Sequence, residues 1–307
     1  MNNKNVEKKP RFKRVAFRPF QLQERDIEVI KEVYKHRFLT SEHIRALIPG
    51  SDQVILRRLQ LLYHAGYLDR PREQIKPYKS GSSSMVYGIG NKGADYLSQT
   101  LNVPRSKVDW TTKNREVKTV FLEHTLEVAN FMVCLETACR ERKDVEFVDP
   151  RKYLKECPIT WKITKAIDGK KHVFNIFPDN TFALYYPKNN STAYFFLEVD
   201  RSTMPIFSAN FFRSSVYKKF LLYWLSWKDS IFANYLGFAN VRVLTLAKSK
   251  ERINSMIQAV KDIDERKKGS RIFMFALDKE FDPAISGNAL NKIWQNGKDS
   301  DILSLLD

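Results

Sequence analysis

Three carboxylates have the spacing best suited to chemistry in this chain. Pro178-Asp179 stands between two apolar runs, and Glu198-Val199-Asp200 closes the second of them. Glu198 and Asp200 are two residues apart, so on a strand they share a face. If the runs 181–186 and 194–199 pair as a hairpin, Asp179 approaches both. Three hard oxygen donors around one point form a site for Mg²⁺ or Mn²⁺. Such an ion activates water and stabilises the charge that builds up in phosphodiester hydrolysis. The structural alternative is that Asp200 and Arg201 pair with charged neighbours and fix the strand end.

The elements that must position these acids follow from hydrophobic period and turn residues. Residues 102–114 are polar, contain Pro104, and read as a linker. Residues 115–142 predict a long helix whose stripe Val117, Phe121, His124, Val128, Phe131, Leu135 and Ala138 faces inward. His124 is then either a core residue or part of a site. Runs at 146–148, 160–164, 172–177, 181–186 and 194–199 are aromatic or β-branched and predict strands. Asp168-Gly169 and 187–190 are turn signals between them. An aromatic helical region, 205–236, contains Phe211, Phe212, Tyr217, Phe220 and Trp224. It reads as core or as a self-association surface that would make a homodimer. A strand at 241–246, a helix at 251–266 and a strand at 271–277 complete an α/β sandwich with a mixed sheet.

This order, with its Pro-Asp and Glu-x-Asp, resembles the PD-(D/E)-x-K nuclease superfamily and its restriction-endonuclease-like fold. The resemblance makes Asp179 the first acid and Glu198 the second. The superfamily's lysine helps to position the attacking water. Here that position holds Asp200, and the following Arg201 points to the other face. A lysine displaced onto the next helix, Lys218 or Lys219, can reach back, and Lys218 completes the candidate set Asp179, Glu198, Asp200 and Lys218.

A second constellation lies upstream. Residues 23–34 carry Ile27, Ile30, Val33 and Tyr34 at helical spacing. Thr40 or Ser41 caps a second helix with Ile44, Leu47 and Ile48, which Pro49-Gly50 ends. Ser51 caps a third, where Ile55, Leu59 and Leu62 face the core and Gly66 supplies the stop. Runs 68–72 and 84–89 predict two wing strands around a basic tip at 76–83, and Asn91 opens a last helix through Gly93 and Leu97. This is the layout of a winged helix-turn-helix, which reads base edges from its third helix and grips phosphates with basic residues. The candidate contacts are Ser51, Gln53, Arg57 and Arg58 on the helix, and Arg70, Arg72, Lys76 and Lys79 in the wing. Arg11, Lys13 and Arg14 of a basic, disordered arm join them.

Charge agrees with an acidic polymer as partner. Of 52 Lys and Arg and 35 Asp and Glu, residues 1–114 hold 22 and 11, so the first third carries most of the net +17. No apolar run is long enough to span a membrane and no leader pattern is visible. The three cysteines form no C-x-x-C pair, which argues against a zinc site and fits a reducing, cytoplasmic setting. The domains read as a basic arm at 1–22, a winged helix at 23–101, a linker at 102–114, a nuclease-like domain at 115–280 and a tail at 281–307.

Taken in order, these segments resemble the replication-relaxation family of plasmid and mobile-element proteins over about residues 23–230. The carriers are 59–68, 86–93, Glu123-His124 with Asn130, Phe177-Pro178-Asp179, and Phe196 through Arg201. The resemblance implies a bacterial protein of plasmid replication, relaxation or transfer, with double-stranded DNA and replication or mobilisation proteins as partners. It also makes His124, Asn130 and Arg201 family-site candidates. Three functions stand open: a DNA-binding accessory protein with a non-catalytic nuclease-like domain, a metal-dependent endonuclease or nickase, and a winged-helix repressor with an apolar sensor pocket.

Overall fold

The computed structural model describes residues 11–15, 20–75, 84–101, 104–108, 114–155, 157–238, 240–285, 287–298 and 301–307. The wing-tip candidates Lys76 and Lys79, and the arm's residues 1–10 and 16–19, lie outside the described residues. The chain divides into two compact units, Met1–Ala129 and Asn130–Asp307. The division falls inside a helix, not in the polar segment 102–114. Burial explains this: Val117 and Leu122 pack with Phe38 and Val86, and Arg115 pairs with Asp69.

The first unit runs α1 (Glu24–His36), β1 (Leu39–Thr40), α2 (Ser41–Leu47), α3 (Asp52–Ala65), β2 (Leu68–Asp69), β3 (Val86–Ile89) and α4 (Asn91–Leu101). Its strands form an antiparallel sheet in the order β1-β3-β2. Val29, Ile30, Val33, Ile44, Ile55, Leu59 and Leu62 are all buried. Each contributes roughly 1.5–3 kcal/mol relative to exposure. Thr40 caps α2 by accepting from the His43 amide at 3.1 Å. Ser51 holds the cap position of α3 without a side-chain bond there. Gly66 ends α3 in the left-handed conformation at φ 89°. A Cβ on Gly93 would stand 2.2 Å from the Tyr67 carbonyl oxygen, so only glycine fits there. The second strand is shorter than expected: Pro71 breaks it and a 3₁₀ turn, Arg72–Gln74, follows. Gln74 compensates with its side chain, donating to Val86 O at 2.8 Å and accepting from Val86 N at 2.7 Å.

The second unit is built on a seven-stranded sheet in the order β12-β11-β10-β9-β8-β7-β4. Its strands are β4 (Glu146–Val148), β7 (Asn180–Tyr186), β8 (Ser191–Val199), β9 (Val241–Ala247), β10 (Ser270–Leu277), β11 (Trp294–Gly297) and β12 (Ile302–Leu303). β8, β9 and β10 are parallel, and the outer pairs antiparallel. The central strands are apolar nearly throughout, because both faces are covered. Phe195 stacks on Phe182 at 4.9 Å, and Phe182 meets Phe131 of α5 (Thr119–Arg140). The adjacent Phe196 faces the other way, towards Tyr223 of α6 (Val216–Lys228). Helix α7 (Lys250–Ile263) packs with α6 in the same core cluster.

Several expectations are corrected. The runs 160–164 and 172–177 do not join the main sheet but form a separate hairpin, β5 (Trp161–Ile167) and β6 (Lys170–Ile176). Only Val216–Lys228 of the aromatic region 205–236 is α-helical, because Ser215 caps α6 there and accepts from the Lys218 amide. Phe220 and Tyr223 are core residues. The segment 281–307, expected as a tail, supplies two sheet strands and the fully buried Trp294. Phe121, expected inward, is exposed beneath the Arg37 guanidinium at 4.3 Å, and His124 is half-buried.

Candidate functional site

Strands β7 and β8 do pair as a hairpin, with Asn180 opposite Leu197. This sets Asp179 at its open end, where the Asp179 amide donates to Leu197 O at 3.0 Å and the Asp179 carboxylate accepts from Val199 N at 2.8 Å. Glu198 and Asp200 turn to the face of the sheet that α6 and α7 cover, as their two-residue spacing requires. There each meets a cation. Glu198 is buried; its Oε2 accepts from Lys219 Nζ and its Oε1 from Tyr223 Oη at 2.6 Å. Asp200 is clamped by Arg252, whose Nε and Nη2 donate to its two oxygens at 2.8 and 3.0 Å. The bond from Arg252 Nη2 to Met204 O, at 2.5 Å, ties this clamp to the chain beyond β8.

The lysine of the cluster is therefore Lys219, not the expected Lys218. Lys218 turns away: its ammonium donates to Phe212 O at 3.3 Å and lies over the Phe174 ring at 4.7 Å. One residue along a helix is a rotation of about 100°, enough to separate the two lysines onto different surfaces.

Burial pushes the Glu198 carboxyl up to about 8; Lys219 opposes this and the nearby Asp179 carboxylate adds to it. Lys219 is raised above its ordinary value, because Glu198, Asp179 and Asp200 together outweigh the lowering by burial. Tyr223 is raised by burial and by Glu198. Thr245 is aligned with Glu198 on the neighbouring parallel strand, and its buried hydroxyl has no hydrogen-bond partner.

This arrangement does not fit the three-carboxylate Mg²⁺ or Mn²⁺ centre expected from the spacing. Both oxygens of Asp200 are taken by Arg252 and both oxygens of Glu198 by Lys219 and Tyr223. Among the described residues, Asp179, Glu198 and Asp200 do not bring one oxygen each within 4.8 Å of one another. Lys219 and Arg252, cations of the protein itself, sit against Glu198 and Asp200 instead.

The described candidate contacts of the first unit separate into two groups. Ser51, Gln53, Arg57, Arg72, Arg11 and Lys13 are exposed. Arg58, Arg70 and Arg14 are committed internally. Arg58 pairs with the fully buried Asp26, donating from Nε at 2.8 Å. Asp26 also accepts from Gln23 N at 2.8 Å, so one carboxylate starts α1 and anchors α3. Arg70 is buried over the Tyr63 ring at 4.1 Å and donates to Tyr87 Oη. Arg14 donates to Tyr63 O and Leu68 O, each at 3.0 Å, and pairs with Asp69. The arm's residues 11–15 are thus held against the unit, since a guanidinium satisfies several buried acceptors at once. Of the family-site candidates, His124 belongs to the first unit and Asn130 and Arg201 to the second. Asn130 donates to Phe281 O at 2.7 Å, and Arg201 is half-buried just past β8.

The replication-relaxation family profile matches residues 30–231, more than half of the 307 residues. The chain belongs to the replication-relaxation family. No curated protein and no solved structure matches it. The span shared with the replication-relaxation family takes in Asp179, Glu198, Asp200, Lys219 and Tyr223 but ends before Thr245 and Arg252. Sequence reasoning missed Tyr223 and Arg252. Tyr223 stands four residues after Lys219, the spacing that puts two side chains on one helix face, and could have been found. Arg252 is fifty-two residues from Asp200 and left no local signal.

Proposed function

We propose that this replication-relaxation protein is a DNA-binding accessory factor of plasmid or mobile-element replication, relaxation or transfer. In this reading the first unit is a winged helix that docks on duplex DNA. The second unit is a nuclease-like fold whose acids are neutralised from within. The observation that carries the reading is the exposed N-terminal face of α3, where Ser51, Gln53, Val54 and Arg57 all face solvent while Ile55 and Leu59 are buried. A recognition helix needs that division, with polar and basic groups free for base edges and phosphates. The clamps on Glu198 and Asp200 support a binding role over cleavage.

The test is a titration of labelled duplex with wild type and with Gln53→Ala plus Arg57→Ala, repeated over a range of salt. The variant should bind more weakly, and losing one phosphate contact should flatten the log–log salt slope by about 0.9. An unchanged curve would mean that a different surface meets DNA.

One observation favours a second reading, a metal-dependent nickase: a lysine does reach back from α6 to the second acid. The repressor reading has weaker support. It calls for a well-formed apolar pocket, and the second unit offers an open groove of about 440 Å³ lined by Trp227, Lys228, Ser230, Phe232, Ala233 and Phe238.

A further inference from the structure

The β5–β6 hairpin stands apart from the main sheet, and its composition is unusual for a structural ribbon. Lys162, Lys165, Lys170 and Lys171 are opposed by Asp168 alone. Asp168 and Gly169 turn the hairpin with positive φ at both positions, 49° and 73°. Its base is anchored: Trp161, Ile163 and Ile176 are buried, and Trp161 Nε1 donates to Ser226 Oγ at 2.9 Å. Cross-strand register sorts the rest. Lys162, Thr164, Val173 and Lys171 share the outward face, while Lys165, His172 and Lys170 share the inward face near the tip.

That inward tip meets aromatic residues from the segment before α6. Phe212 packs edge-on against His172 at 4.9 Å, Phe211 against Phe174 at 5.6 Å, and the Lys218 ammonium lies over Phe174. Yet Phe212 is 54% exposed. Lys165 and Lys170, on the ribbon face that meets this solvent-facing ring, join it as the two ingredients of single-strand recognition, phosphate attraction and base stacking. A duplex hides its base faces, so the ring would gain nothing from it. A second copy of the chain would set the same lysines against one another.

We infer that the inward face of the β5–β6 hairpin tip, with Phe212, is a binding surface for single-stranded nucleic acid, distinct from the duplex-binding face proposed on α3. Through the core, Trp161 at the base of the hairpin touches Tyr223, the hydroxyl partner of Glu198. A protein that handled DNA opened during replication or relaxation would hold a strand there.

The experiment is fluorescence anisotropy of the full chain with a labelled oligodeoxythymidine and, in parallel, with a labelled duplex. Two variants are compared with wild type: Phe212→Ala, and Lys165→Glu plus Lys170→Glu, the lysines on the ribbon face that Phe212 meets. The aromatic variant should lose at least about fivefold in single-strand affinity, the low end of stacking by one base. The charge variant should lose affinity and flatten the salt slope by about 1.4, the value for two phosphate contacts on a single strand. Duplex binding should be unchanged in both, so the outcome is independent of the α3 reading. Unaltered single-strand affinity in both variants would overturn the inference. Equal losses for strand and duplex would overturn it too, by making the surface a general polyanion site. So would a change of oligomeric state in the aromatic variant with strand affinity intact.

Discussion

At the scale of single residues, the second unit is governed by how it neutralises buried acids. A carboxylate buried without a partner is expensive, and a lysine, an arginine or a proton can each remove the cost. Asp200 receives an arginine in bidentate geometry, the strongest of the three arrangements. Glu198 receives Lys219 and a tyrosine hydroxyl, and burial still raises its pKa from 4.5 to about 8. Between those two values the folded state binds more protons than the unfolded state, so stability falls as pH rises through that window. Glu198→Gln removes the titration. Wild type should therefore lose thermal stability relative to Glu198→Gln between pH 5 and pH 8, read from paired melting curves. A difference that stays constant over that window would mean that Lys219 holds the carboxylate ionised throughout.

At the scale of elements, adjacent residues of α3 have opposite duties. Arg57 is exposed, whereas Arg58 lies against α1 and completes the shell of Asp26. The sequence placed both on the exposed face, because helical period marks the apolar positions and leaves the flanking ones undetermined. Removing the partner of a buried carboxylate typically costs about 3–5 kcal/mol. Arg58→Ala should fall at the low end, about 3 kcal/mol, because Asp26 keeps its bond to the Gln23 amide. Arg57→Ala should stay within about 0.5 kcal/mol, as exposed substitutions do. Denaturant unfolding of the two variants distinguishes the duties. Similar losses for both would show that the Asp26 pair does not tie α3 to α1.

At the scale of the whole molecule, accessory factor and nickase make opposite demands on one assay. Supercoiled plasmid incubated with wild type or Asp179→Ala, with Mg²⁺, Mn²⁺ or chelator, should be retarded but uncut in every lane. Metal-dependent nicking that disappears in the Asp179→Ala lane would establish the nickase and mean that the Lys219 and Arg252 contacts open in the active complex. No described helix is long and apolar enough to cross a membrane, in keeping with the absence of a long apolar run.

Much of this was legible before any coordinates, and for local reasons. The caps, the Ile55-Leu59-Leu62 spacing and Gly66 defined α3, because helix period and left-handed stops are written in neighbouring residues. The hairpin of β7 and β8 and the shared face of Glu198 and Asp200 followed from strand period. Long, strongly patterned elements were found, while the two- and four-residue strands β1, β11 and β12 were too short to carry a pattern. What only the tertiary structure decided was which charges meet. Lys219 instead of Lys218, Arg252 on Asp200, Arg58 on Asp26 and Arg70 against Tyr63 are pairings across tens of residues. Residue type determines that a buried charge must find a counter-charge. Only the path of the backbone determines which one lies within hydrogen-bond reach, and here that choice turned an apparent metal site into two internal ion pairs.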